Sequence, residues 1–111
     1  MRGGPTLSTH VLDTERGLPA VGVPVELVLS GRPIARASTD ADGRIADLGG
    51  GPLDAGAYVL TFDVAAYFEA HGRQAPFLRR VSIEFQAHAA DRHYHVPLLV
   101  SPYACTSYRG S

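Results

Sequence analysis

Short runs of alternating apolar and polar residues recur along this chain, each closed off by a cluster of turn formers, and this punctuation confines it to a sheet-built fold. The runs lie at 7–13, 23–30, 34–39, 57–63, 80–88, 93–101 and 103–108. Between them stand Gly31-Arg-Pro33, Asp42-Gly43, Gly49-Gly-Gly-Pro52 and Ser101-Pro102, residues that supply a positive φ, a fixed φ or a local side-chain hydrogen bond. Many short strands at such spacing predict an all-β sandwich. The run 80–88 alternates most cleanly, with Val81, Ile83 and Phe85 on one side and Ser82, Glu84 and Gln86 on the other. A period of two of this kind describes a strand with one buried face.

One segment departs from that period. Val64, Tyr67, Phe68 and His71 fall at i, i+3, i+4 and i+7, with Asp63 ahead of them and Gly72 behind. The spacing predicts one short helix after the middle strand, capped by Asp63 and stopped at Gly72.

The chain's 111 residues suffice for one domain with a real core. The expected division is a flexible Gly- and Pro-rich stretch at 1–6 and a single domain over 7–111. An apolar content of 45% and a net charge of −1 argue against disorder. No apolar run is long enough to cross a membrane, and the first ten residues lack the apolar core of a secretory signal. Cys105 is the single cysteine, so no internal disulfide forms, which suits a reducing compartment such as the cytoplasm. All ten basic residues are Arg, scattered from Arg2 to Arg109 among eleven acids. A nucleic-acid binder gathers its positive charge on one face, so no nucleic-acid partner is expected.

The chemistry concentrates in histidine. In 93–101, Tyr94, Val96, Leu98 and Val100 form the apolar face, which turns His93 and His95 to the other side; in 7–13, His10 shares the less apolar face with Ser8 and Leu12. Such histidines serve either as solvated or interface polar groups, or as reactive ones. His-x-His on a strand also suits two zinc ligands on one face, with His10 as a third from a neighbouring strand. Arg44, just past the Asp42-Gly43 turn, is either a solvated turn residue or a planar donor fork aimed at a carbonyl or ring oxygen. Other motifs carry less. Asp40-Ala-Asp-Gly43 opens like a calcium loop, but Arg44 takes the fifth place and Gly51 the twelfth. The glycines at 49–51 lack the Lys-Ser/Thr of a phosphate loop, and no Gly-x-Ser-x-Gly elbow occurs. Cys105, between Ala104 and Thr106, is expected to pack as a small buried or half-buried residue. The ending Tyr108-Arg-Gly-Ser111 follows a strand directly, so it either occupies a structured site or frays.

Taken together, Leu7-Ser-Thr-His-Val-Leu-Asp13 with Gly17-Leu-Pro-Ala20, Thr39-Asp-Ala-Asp-Gly-Arg44, Ala65-Ala-Tyr-Phe68, the run from His93-Tyr-His-Val-Pro97 to Tyr103, and Tyr108-Arg-Gly-Ser111 span nearly the whole chain. This set resembles the transthyretin-related proteins, and the Tyr-Arg-Gly-Ser ending resembles their enzyme branch, the 5-hydroxyisourate hydrolases. Ala104-Cys105 stands where that family commonly has Gly-Tyr. The resemblance implies a transthyretin-like β-sandwich of two four-stranded sheets with one short helix, assembled as a homotetramer with active sites in a channel between dimers. It places Pro97 in a central strand, where a bulge or an unpaired amide position is then required. The implied reaction is hydrolysis of the ring amide of 5-hydroxyisourate to 2-oxo-4-hydroxy-4-carboxy-5-ureidoimidazoline, a step from urate towards allantoin, with no cofactor and no metal.

By the same resemblance, His10 and His95 position and deprotonate the water and shuttle its proton, and Arg44 binds ring oxygens and stabilises the oxyanion. Tyr108 and Ser111 hold the substrate, Arg109 fixes the tail by local pairing, and His93 is a supporting or surface partner. Two other functions are compatible with these residues: a transthyretin-like binding protein without turnover, and a zinc hydrolase using His10, His93 and His95.

Overall fold

A computed structural model describes residues 4–111. Nine strands and one helix follow in order: β1 (Thr6–Asp13), β2 (Leu18–Pro19), β3 (Pro24–Leu29), β4 (Arg32–Ser38), β5 (Arg44–Ile45), β6 (Gly56–Phe62), α1 (Val64–Ala70), β7 (Val81–Ala87), β8 (His93–Val100) and β9 (Cys105–Ser107). They form two sheets. One has the order β4-β3-β6-β7, and the other β2-β1-β8-β9 with β5 also paired to β1. This is the expected sandwich, with the second sheet extended by the two-residue strands β2 and β5. The alternation that marks the long strands in sequence is the alternation of burial. In β1, Leu7, Thr9, Val11 and Asp13 face inward, and in β8 Tyr94, Val96, Leu98 and Val100 do so. They meet Val25 and Leu27 of β3 and Tyr58, Leu60 and Phe62 of β6 in the core.

The helix forms where its period predicts. Asp63 accepts a hydrogen bond from the Ala66 amide as N-cap, Gly72 adopts φ +69° beyond the C-cap, and Val64, Tyr67 and Phe68 are buried. His71 does not extend the apolar stripe. It is the C-cap and lies exposed, with Nδ1 2.8 Å from the Tyr67 carbonyl oxygen. The expected run 103–108 shortens to β9, because Ser101 turns the chain by donating its amide to the Ala104 carbonyl at 2.9 Å. Residues 1–3 of the stretch expected to be flexible lie outside the described residues. Pro5 is buried and accepts from the Leu53 amide at 2.7 Å, and Thr6 opens β1.

Pro97 is tolerated in the middle of β8 because of what lies beside it. The Pro97 carbonyl accepts from the Ser107 hydroxyl at 2.8 Å, so this residue's backbone polar groups face the tail side. Leu98 pairs with Ser107 and His95 with Gly110 in one continuous register, which puts Pro97 opposite Tyr108, in the gap between β9 and that last bridge. The missing donor falls where no ladder bond is made.

Asp13 ends β1 as a fully buried carboxylate. It accepts from Arg73 Nη1 at 2.5 Å and from the Tyr67 hydroxyl at 2.8 Å, and Arg73 also pairs with Glu15. Burial alone would raise its pKa, but the Arg73 and Tyr67 hydrogen bonds outweigh burial and hold the carboxyl below its ordinary value. A depressed folded-state pKa stabilises fully above the unfolded value of about 4 and is lost as pH falls through the folded one. Asp13→Ala leaves the Tyr67 hydroxyl without its acceptor and Arg73 with Glu15 as its remaining carboxylate. It should cost about 3 kcal/mol in chemical denaturation at pH 7, a deficit that narrows against wild type as the pH is taken below 4.

Candidate active site

The site is assembled by register. β1 and β8 run parallel with Ser8 opposite His95 and His10 opposite Pro97; on the other edge of β1, His10 is opposite Arg44 of β5. Paired residues share a face of the sheet, so Ser8, His10, His93, His95 and Arg44 all project from the face turned away from the core. Arg44 is presented by its turn. The Asp40 carboxylate accepts from the amides of Arg44 and Asp42, both at 2.9 Å, and these two bonds hold the Asp40 carboxyl below the usual carboxylate range. Gly43 has φ +75°, and a Cβ there would lie 2.6 Å from the Val11 carbonyl oxygen, so only glycine lets β5 lie this close to β1.

A cleft of about 330 Å³ opens on this face, lined by Ser8, Arg44, His93, His95 and Ser111 among others. His95 is half-buried in it. Burial, then the charge of Arg44, then His10 and His93 all disfavour its protonated form and hold its pKa below the ordinary value of 6.5. It is therefore a neutral imidazole at neutral pH, with a lone pair available to take a proton. Its Nδ1 lies 2.8 Å from the Ser8 hydroxyl, which leaves Nε2 for the cleft. Arg44 is exposed beside it and lines the same cleft, where its planar donor fork suits an anion or a carbonyl oxygen.

The tail packs directly against this pair. The Gly110 amide donates to the His95 carbonyl at 2.7 Å, and a Cβ at Gly110 would come within 2.6 Å of His95 Cδ2. Arg109 turns the other way. Its guanidinium lies 4.4 Å from the Tyr94 ring centroid, donates to the His93 carbonyl at 3.2 Å and sits 3.8 Å from Asp91, which is the local pairing expected of it. Ser111 borders the cleft, whereas Tyr108 does not. Tyr108 lines a second cleft of about 350 Å³ with Ile83, Phe85 and Arg109, where the edges of the two sheets meet.

Two further expectations meet this geometry. The zinc arrangement finds no support in the side chains. Both ring nitrogens of His93 are bonded to Thr6 and Ser8, at 2.6 and 2.8 Å, and no three His, Cys, Asp or Glu among the described residues are grouped to hold an ion. Cys105 is exposed rather than packed, because it starts an edge strand in which Thr106 is exposed as well. Ser8 and Gly110 touch His95 directly, a role that the sequence alone does not assign to either. The Ser8-x-His10 alternation puts Ser8 on the histidine face, but only the parallel register reveals what lies across from it.

These features define a class: a transthyretin-type sandwich whose outer sheet face carries a histidine pair, an arginine and a structured tail. Residues 7–110 match the model of the HIUase/Transthyretin family, and the chain belongs to that family. It is 44% identical to the 5-hydroxyisourate hydrolase of Deinococcus radiodurans over 100% of both chains. The solved structure of Klebsiella pneumoniae 5-hydroxyisourate hydrolase superposes with a TM-score of 0.89 at 43% identity, covering 96% of this chain and 99% of that one. Transthyretin from Sparus aurata superposes almost as well, with a TM-score of 0.85 at 31% identity, covering 95% and 96%. Backbone shape is thus shared by a 5-hydroxyisourate hydrolase and a transthyretin, and the side chains on the outer face have to distinguish them.

Proposed function

We propose that this protein hydrolyses 5-hydroxyisourate, opening its ring amide to give 2-oxo-4-hydroxy-4-carboxy-5-ureidoimidazoline. The observation that carries this reading is a neutral, half-buried His95 beside the Arg44 charge in one cleft, together with relatives named for that reaction. Arg44 binds the ring oxygens and stabilises the charge that develops on the attacked carbonyl. His95 Nε2 removes a proton from the attacking water, and the His10–His95 pair returns one to the departing ring nitrogen. Hydroxide ends on the carbonyl carbon and the proton on nitrogen, so the step balances as simple hydrolysis. Ser111 holds the substrate at the cleft rim, whereas Tyr108 faces the second cleft and does not reach this one within a single chain.

The working form we propose is a homotetramer in the cytoplasm. β7 and β9 are edge strands, and pairing between copies would cover them; a face-to-face dimer of dimers would close the exposed Arg44 face into a channel. The lone exposed thiol of Cys105 stays reduced in such a compartment.

The test generates substrate from urate with urate oxidase and follows its ultraviolet absorbance with and without this protein, with light scattering on the same sample. The expected result is decay well above the spontaneous rate, unchanged by chelator, in a particle of four times the chain mass. kcat/KM should fall on acidification with an apparent pKa below 6.5, because the productive form of His95 is the neutral one. Decay at the spontaneous rate would leave a binding protein of the same fold.

A further inference from the structure

Behind His95 lies an unbroken line of hydrogen bonds that the proposed reaction does not by itself require. His95 Nδ1 is 2.8 Å from Ser8 Oγ, Ser8 Oγ is 2.8 Å from His93 Nε2, and His93 Nδ1 is 2.6 Å from Thr6 Oγ1. The line runs from the half-buried His95 to the exposed His93 and the strand-opening Thr6. Two strands build it jointly, because the parallel register sets Thr6 opposite His93 and Ser8 opposite His95.

A hydroxyl holds one proton, so the line has two self-consistent directions. In the first, His95 Nδ1–H donates to Ser8, Ser8 donates to His93 Nε2, and His93 Nδ1–H donates to Thr6; His95 Nε2 is then a bare lone pair, a base. In the second every bond is reversed, from the Thr6 hydroxyl inward, and His95 Nε2 carries a proton, an acid. No atom moves far between the two states; only protons do.

We propose that Ser8, His93 and Thr6 form a proton relay that switches His95 between its basic and acidic tautomers by passing a proton to solvent and back. As water gives a proton to His95 Nε2, the Nδ1 proton moves to Ser8, the Ser8 proton to His93 Nε2, the His93 Nδ1 proton to Thr6, and the Thr6 proton to bulk water. When His95 Nε2 protonates the departing nitrogen, the line runs in reverse and takes one proton up. The balance over the cycle is that of hydrolysis. What the relay adds is that His95 never becomes a cation. The groups facing it are Arg44 on β5, His10 on β1 and His93 on its own strand, all disfavouring an imidazolium there, and a relay through Nδ1 avoids forming one. Ser8 and His93 are thus positioning and relay residues; neither needs to touch substrate.

This inference rests on His95 being the base of the proposed hydrolysis, so its test includes an arm without turnover. Ser8→Ala should lower kcat about 10–100-fold, the range for loss of a partner that orients a working histidine, with KM little changed, while Ser8→Thr, which keeps the hydroxyl, restores it. The dependence of kcat on the deuterium fraction of the solvent should be bowed in wild type, as several protons move together, and straight in Ser8→Ala and in His93→Gln, whose amide cannot pass a proton on. Independently, the ¹⁵N chemical shifts of the His95 ring should report a different tautomer balance in Ser8→Ala than in wild type. An active wild type whose kcat and bowed isotope dependence survive in Ser8→Ala or in His93→Gln overturns the relay while leaving the hydrolysis intact. An unchanged His95 ring spectrum in folded Ser8→Ala overturns it whether or not the protein turns over.

Discussion

His95→Asn and Arg44→Ala are each expected to reduce kcat/KM for 5-hydroxyisourate by about 10²–10⁴-fold, because one removes the proton acceptor and the other the charge that meets the oxyanion. Neither should unfold the protein. Both side chains project from the outer face, apart from the core packed by Leu7, Val11, Val96 and Leu98, so their loss leaves no cavity. Stopped-flow decay of enzymatically generated substrate gives the rates, and urea denaturation gives the stability. The two variants should also differ from each other. Arg44→Ala removes a charge that opposes protonation of His95, so its residual activity should show an acid limb moved towards higher pH. A limb that stays in place would mean that Arg44 does not act on His95 through its field.

The second large effect is expected at a residue with no side chain. Gly110→Ala puts a methyl group 2.6 Å from His95 Cδ2 and 3.3 Å from the His95 carbonyl oxygen. Either the imidazole swings out of the cleft or the tail lifts and breaks the Gly110–His95 backbone bond; both misplace the base, and misplacement of about 1 Å can cost 10²-fold. A loss of kcat of that order, with a thermal midpoint within a few degrees of wild type, is the expected result. Deleting residues 108–111 should remove the same support and lower activity at least as far, since Ser111 leaves with it. Near-wild-type turnover in both variants would show the tail to be a passive cover.

The parts of this molecule that could be read from sequence are those governed by local period. The alternation in β1, β7 and β8 and the 3.6-residue stripe of α1 placed these elements to within a residue or so. The histidine face was legible for the same reason, since a strand's two sides follow from parity alone. What parity does not carry is adjacency. Nothing local states that β1 lies parallel to β8 on one edge and antiparallel to β5 on the other; the first register lines Ser8 up with His95, and the second lines His10 up with Arg44. Edge status is equally non-local. Cys105 has the composition of a packing residue and is exposed because nothing pairs beyond β9 in the chain. Tyr108 likewise borders the seam between the sheets rather than the Arg44 cleft, a consequence of how the tail crosses β8 and not of its own neighbours.

The parallel seam between β1 and β8 also sets when the site can exist. Ser8 and His95 are 87 positions apart, and closing so long a loop has to precede any reward from the contact, which makes such pairings slow to form. During synthesis at a few to some twenty residues per second, β1 emerges first and finds no partner on its β8 side until most of the remaining chain has followed. For that interval it presents an open ladder and the side chains of Leu7 and Val11, a ready template for pairing with another nascent chain. The site does not build up gradually along the polypeptide; it arrives with β8, which supplies His95 and shields β1 in the same event, and with the tail that closes on His95 directly afterwards.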